Sequence, residues 1–82
     1  GVNDTPRNKR EESRPMKYTF TTDAVSQDIQ ADDIDSAARQ FGASNRIYAM
    51  ETLKDLAGII ESNGGWLIVH EDGVIVCESQ SA

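Results

Sequence analysis

The single histidine, His70, and the single cysteine, Cys77, are the residues of this chain best suited to nucleophilic catalysis. A cysteine nucleophile needs a base within hydrogen-bond reach of its sulfur. Both residues lie in segment 64–78, GGWLIVHEDGVIVCE, where apolar stretches flank a short acidic turn as in a β-hairpin. In the strand pairing favoured below, the two side chains project to opposite faces. We therefore predict no catalytic residues and no enzyme: Cys77 is a small buried hydrophobic residue, and His70 lies at the surface near a strand end.

Four aspartates near the middle of the chain could suggest a cation site. An EF-hand loop needs a glycine at its turn and a distal glutamate, and this segment has neither. Capping of a helix already explains two of the four. Segment 61–65, ESNGG, lacks the Lys-Ser/Thr continuation of a phosphate-binding loop. We predict no metal and no cofactor. The aspartates are Asp28, Asp32, Asp33 and Asp35.

The charge of the chain is concentrated in residues 16–82. This part has four basic and eleven acidic residues, a net charge of −7. Such a surface repels phosphate groups, which argues against binding to nucleic acid or to an anionic membrane. The expected partner is another protein or a second copy of the chain, although acidity also serves solubility alone.

Residues 1–15 have a different composition. They contain one aliphatic residue, Val2, with four basic and three acidic residues. This segment cannot bury enough apolar area to offset the entropy of ordering it, so a disordered tail is predicted. Because Met16 is a possible start codon, the tail is either vector-derived or an upstream extension. Residues 16–82 are predicted to form a single domain.

Cysteine content and hydropathy bear on the location of the protein. A single cysteine allows no internal disulfide and fits a reducing compartment. The chain has no apolar run long enough for a transmembrane helix or a signal sequence. We expect the protein in the cytoplasm.

Two helices are indicated by apolar residues at helical spacing. The first stripe follows Asp32 or Asp33 as N-cap, and Gly42 is its expected end. The second begins at Thr52, which with Asp55 forms an approximate capping box, and ends near two glycines. The stripes are Ile34, Ala37, Ala38 and Phe41, then Leu53, Leu56, Ala57 and Ile60.

Strands are expected on both sides of these helices. Residues 17–22 alternate cleanly, whereas residues 23–30 fit either a long bent strand or a loop. Residues 46–50 fit a short strand or the start of the second helix, and we favour the strand. The predicted fold class is α+β: a small mixed or antiparallel sheet in the order β-α-(β)-α-β-β, with a C-terminal hairpin and both helices on one face.

The pairing of the hairpin strands depends on the turn. A two-residue turn at Asp72 and Gly73 places Glu71 opposite Val74. A three-residue loop with Gly73 as the bulge residue places His70 opposite Val74 and sorts the side chains better, so we favour it. Leu67, Val69, Ile75 and Cys77 then form the core face.

The opposite face of the hairpin is also apolar, and the helices can cover only one face. Either residues 23–31 fold over it, or the sheet twists so that Trp66 lies along an edge, or it is an interface. The favoured function is a small non-enzymatic protein-interaction module, with a homodimer as its simplest form. The alternative is an acidic inhibitor or nucleic-acid mimic, of a phage or accessory type, that uses the four aspartates to block a basic cleft. The candidate interface is Trp66, Ile68, His70, Val74, Val76 and Glu78.

Overall fold

Two hairpins flank two helices in the chain order β-β-α-α-β-β. The computed structural model describes residues 15–80; the predicted tail, apart from Pro15, lies outside them. The strands form one sheet in the order β2-β1-β3-β4, with every neighbouring pair antiparallel. The predicted α+β class is confirmed, with an antiparallel sheet. The elements are β1 Met16–Thr22, β2 Ser26–Ala31, α1 Ile34–Ser44, α2 Leu53–Ser62, β3 Trp66–Glu71 and β4 Val74–Gln80.

The segment that the sequence left open, residues 23–30, lies in a turn and in the edge strand β2. Thr22 closes the turn, since its hydroxyl accepts hydrogen bonds from the backbone N–H groups of Ala24 and Val25, each at 3.1 Å. Only Ile29 and Ala31 of β2 are buried. A strand with so few apolar residues gives a weak alternation, and pairing with β1 is what makes it a strand.

Helix α1 begins as the sequence predicts. The Asp33 carboxylate caps it by accepting a 2.7 Å hydrogen bond from the Ser36 N–H, and Ala37, Ala38 and Phe41 are buried. The predicted end at Gly42 is wrong, because the helix continues to Ser44.

A glycine is needed at position 42 because the segment after α1 passes very close to the helix there. A Cβ atom there would lie 2.6 Å from the Ile47 carbonyl oxygen, and the Ile47 N–H donates to the Gly42 carbonyl at 2.7 Å. The short strand expected at residues 46–50 does not form, because Arg46 has a positive φ of 64° and the chain there turns back against the end of α1. This segment links the helices, with Met50 buried.

Helix α2 has the predicted capping box. The Asp55 N–H donates to the Thr52 hydroxyl at 3.2 Å, and the Asp55 carboxylate accepts from the Thr52 N–H at 3.3 Å. The Asp35 carboxylate accepts a 2.9 Å bond from the Leu53 N–H, which joins the two helix starts.

The core lies between the helices and one face of the sheet. Phe20 of β1 stacks on Phe41 of α1 with ring centroids 5.0 Å apart. Leu56, Leu67 and Val69 are fully buried around this pair. Because the buried residues of β1, β2 and β3 alternate in sequence, they all project to the helix side. Within residues 15–80, the other face of the sheet carries no helix.

Candidate protein-interaction surface

The C-terminal hairpin turns through two residues. Asp72 and Gly73 both have positive φ, 50° and 89°, as a type I′ turn requires, and Glu71 pairs with Val74. The three-residue loop predicted from the sequence is therefore wrong. Asp72 is held by β1, since its N–H donates to the Lys17 carbonyl at 2.8 Å and its carboxylate accepts from the Lys17 N–H at 3.2 Å.

A β-bulge follows the turn. His70 pairs with Ile75, but Val69 pairs with Cys77, so Val76 is an extra residue on β4. The two-residue turn reverses the orientation expected for Ile75, and the bulge after it returns Cys77 to the core face. Predicted to lie in the core, Ile75 is instead opposite His70 on the outer face and is 50% exposed.

The six predicted interface residues divide between two sides of the sheet. Alternation from the buried Leu67 and Val69 places Trp66, Ile68 and His70 on the helix-free side, each half-buried. Glu78 pairs with Ile68 on that same side.

Val74 and Val76, the other two members of the set, are on the helix side. Val74 pairs with Glu71, which in turn pairs with the buried Tyr18. Val76 lines a groove together with Leu53 and Ala57 of α2. Both valines are exposed, at 64% and 45%, yet the structure does not join them to Trp66 and Ile68 in one surface.

We call Trp66, Ile68 and Ile75, with His70 among them, the outer apolar face. Beside it, the same side of the sheet is polar: the Thr19 hydroxyl donates to the Asp28 carboxylate at 2.8 Å. Residues 23–31, one possible cover, form the turn and β2 instead. Among residues 15–80, no helix or strand packs over the outer apolar face.

The structure separates the two residues that suggested catalysis. His70 is on the outer side, while Cys77 packs partly buried against the core beneath α2. Burial raises the pKa of the Cys77 thiol above its ordinary value, and the carboxylates of Glu61 and Glu78 raise it further. The thiol form therefore predominates at neutral pH, which opposes a role as nucleophile. Residues 15–80 contain no cluster of three or more potential metal ligands.

Three of the four predicted patch aspartates form hydrogen bonds within the domain. Asp28 accepts from Thr19, Asp33 caps α1, and Asp35 accepts from the Leu53 N–H. The capping bond from Ser36 lowers the pKa of Asp33. Asp32 is exposed. The three hydrogen-bonded carboxylates therefore stabilise local structure.

The chain has no match among protein-family models, curated proteins or solved structures. Neither helix within residues 15–80 has the length and apolar character needed to cross a membrane. What can be said of function therefore depends on the geometry of the outer apolar face and of the pockets.

Proposed function

We propose that the protein is a small non-enzymatic interaction module that self-associates through the outer apolar face of its C-terminal hairpin. The observation that carries the proposal is the apolar surface on the helix-free side of this hairpin. Ile75, on the edge strand β4, is 50% exposed there. Each large apolar side chain left in water forgoes roughly 1.5–3 kcal/mol of burial free energy. Patches of this type favour contact with another protein.

The rest of the chain offers little that could cover this face. Residues 1–14 contain one aliphatic side chain, Val2, and the last two residues are Ser81 and Ala82. The apolar side chains of the helices are directed to the core. These residues therefore supply few apolar side chains for the face, whereas a second copy of the chain can supply them.

Charge favours this surface for contact between two copies. The domain carries a net charge of −7, so most surfaces of two copies would repel each other. Glu78 lies at the rim of the outer apolar face, where it pairs with Ile68. In a twofold arrangement the same patch contributes from both subunits, so the apolar residues of one copy meet those of the other.

The test is the mass of the protein in solution as a function of concentration, measured by light scattering after size exclusion. We expect the wild type to pass from monomer to dimer, and Ile75→Glu to remain monomeric. Tyr48→Glu is the matched control: it adds the same charge at a side chain that is more exposed, 74%, and outside the face. This control should dimerise like the wild type.

Two results would contradict the proposal. One is a wild type that stays monomeric at millimolar concentration. The other is equal loss of dimer in Ile75→Glu and Tyr48→Glu, which would indicate general charge repulsion. Circular dichroism and the unfolding midpoint of each variant establish that the monomer is still folded.

The alternative function, an acidic inhibitor or nucleic-acid mimic, stays a prediction. The net charge supports it. Asp28, Asp33 and Asp35, however, already form hydrogen bonds within the domain, so their presence is explained without such a role. The proposed location remains the cytoplasm, on the basis of the single cysteine.

A further inference from the structure

A separate pocket lies at the end of the domain where both helices terminate. Its cavity volume is about 270 Å³. It is bounded by the β1–β2 turn, by the last turns of α1 and α2, and by Gly65 before β3. This volume is slightly below the range of roughly 300–1,000 Å³ typical of sites for drug-sized ligands. The pocket suits a single long side chain or a molecule of that size.

The wall of the pocket is mainly apolar. Phe41 of α1, Ile59 and Ile60 of α2, and Ile47 of the connecting segment contribute to it, with Val25 from the β1–β2 turn. Val25 is 38% exposed. An aliphatic stem could pack against these side chains and exclude water from them.

Three polar side chains in the lining offer oxygen acceptors: Asp23, Asn45 and Asn63. Each asparagine caps a helix and donates its amide N–H to the carbonyl four residues earlier, that of Phe41 or Ile59, at 2.8 Å. The donor end of each amide is thus engaged, which leaves its oxygen as the available group. Within residues 15–80 these two oxygens and the Asp23 carboxylate have no hydrogen-bond donor.

The electrostatic character of the pocket is negative. The C-terminal ends of both helices meet there, and each carries the negative end of its helix dipole. Neither helix has a basic residue in its last turn. Among the described residues, the lining includes the Asp23 carboxylate and no lysine, arginine or histidine.

From these observations we infer that this pocket binds a basic side chain, arginine or lysine, of a partner protein. The aliphatic stem packs on Val25, Ile47 and Ile60, and the cationic head lies between Asp23 and the asparagine oxygens. This site is independent of the proposed dimer, since it lies among the helix ends and not on the outer apolar face. The strong net negative charge of the domain also draws a basic partner toward it.

The experiment is a titration of the full-length, ¹⁵N-labelled protein followed by its amide NMR signals. The probe is a blocked pentapeptide with a central arginine flanked by serine and glycine. Its matched control contains citrulline, which has almost the same shape without the charge. A second peptide contains lysine, and putrescine tests for a free diamine. Ionic strength is held constant throughout.

We expect the arginine and lysine peptides to shift the amides of residues 23–25, 45–47 and 63–65, and the citrulline peptide to shift them little. Asp23→Asn should weaken arginine-peptide binding about threefold or more, as for a partly exposed ion pair. Asp32→Asn removes an exposed carboxylate outside the lining and should leave binding unchanged. Ile75→Glu should also bind normally, whether or not the protein dimerises.

Several outcomes would overturn the inference. Equal binding of the citrulline and arginine peptides would show that charge is not recognised. Equal weakening by Asp23→Asn and Asp32→Asn, or shifts spread over all acidic segments, would indicate general electrostatic attraction. Tighter binding of putrescine than of either peptide would assign the pocket to a free amine instead of a protein side chain.

Discussion

The two hairpins expose the same side of one sheet in different ways. On the N-terminal hairpin, β1 and β2 present hydroxyl, amide and carboxylate groups, and Thr19 hydrogen-bonds to Asp28 across the strands. On the C-terminal hairpin, β3 and β4 present Trp66, Ile68 and Ile75. In the part of the chain that the structure describes, neither half is covered by a helix. The difference shows that the lack of a second layer does not by itself require an apolar outer face, so the apolar half calls for a separate explanation.

The largest effect should distinguish the two sides of β3. Leu67 is fully buried against the helices, whereas its neighbour Ile68 is half-buried on the outer side. We expect Leu67→Ala to lower the free energy of unfolding by about 2–5 kcal/mol, through lost burial and a cavity. Ile68→Ala should cost less than about 1.5 kcal/mol in the monomer, because this side chain is already partly exposed to water.

Urea unfolding at low protein concentration measures both values. The same curves at high concentration test the dimer, since association stabilises the folded state by mass action. Ile68→Ala should remove that concentration dependence while Leu67→Ala retains it. Equal costs for the two variants at low concentration would mean that both sides of β3 are similarly buried.

The turns of the two hairpins should also differ. Gly73 has a φ of 89°, so Gly73→Ala should destabilise the domain by about 1–2 kcal/mol, the cost of a left-handed conformation. The turn of the N-terminal hairpin depends on the Thr22 hydroxyl, and Thr22→Val should cost about 1 kcal/mol for its two hydrogen bonds. Thermal unfolding measures both, and a harmless Gly73→Ala would contradict the two-residue turn.

A smaller effect should follow from making the two halves of the outer side alike. Thr19 lies between Asp28 and His70 across the strands. Thr19→Val removes one exposed hydrogen bond and extends the apolar surface, so we expect less than about 1 kcal/mol of change in monomer stability. Dimer formation should become tighter. A control at the edge strand, Ser26→Val, is farther from Ile75 and should strengthen dimerisation less.

The pH dependence compares the hairpins with the helix caps. The pKa values of Cys77 and Tyr18 are raised, chiefly by burial, so folding disfavours their charged forms. Their contribution to folding stability is complete below the ordinary pKa values of 9.0 for Cys77 and 10.0 for Tyr18. It is lost as the pH rises from those values through the raised pKa of the folded state. Cys77→Ser should reduce the alkaline loss of stability, measured by urea unfolding between pH 8 and about 10.5.

The helix caps respond in the opposite direction. Backbone hydrogen bonds lower the pKa of Asp33 and of Asp55 below the ordinary 3.8. The contribution of these two carboxylates to folding stability is present above pH 3.8 and is lost as the pH falls through the lowered pKa of the folded state. Asp33→Asn and Asp55→Asn should flatten the acid limb of the stability curve and leave the alkaline limb unchanged.

The helices could be predicted because their signals are local. Thr52 and Asp55 form their capping box within four residues, and the apolar stripes repeat at the helical period. The candidate surface could be predicted only in part. Trp66 and Ile68 follow from alternation along β3, whereas the outward Ile75 follows from the two-residue turn, the register that the sequence did not favour. The bulge that returns Cys77 to the core has no clear sequence signal.

The pocket at the helix ends was missed by sequence analysis for a related reason. Asp23, Asn45 and Asn63 are far apart in the chain, and each reads as an ordinary turn or capping residue. These three side chains line one pocket only because of the order of the strands and the lengths of both helices. A useful signal was present in retrospect: both helices end in asparagine without a basic residue in the last turn.

By itself the sequence determined the class of the fold, the start of each helix, the outward positions of Trp66 and Ile68, and an acidic surface. Those properties depend on interactions between residues a few positions apart or on composition alone. Only the tertiary structure decided the strand register of the C-terminal hairpin, GGWLIVHEDGVIVCE. Asp72 binds the backbone of Lys17, fifty-five positions away, and supports the two-residue turn that leaves Ile75 outside. The bulge then restores Cys77 to the core. Competing registers of one hairpin differ little in local energy, so contacts with distant strands select among them.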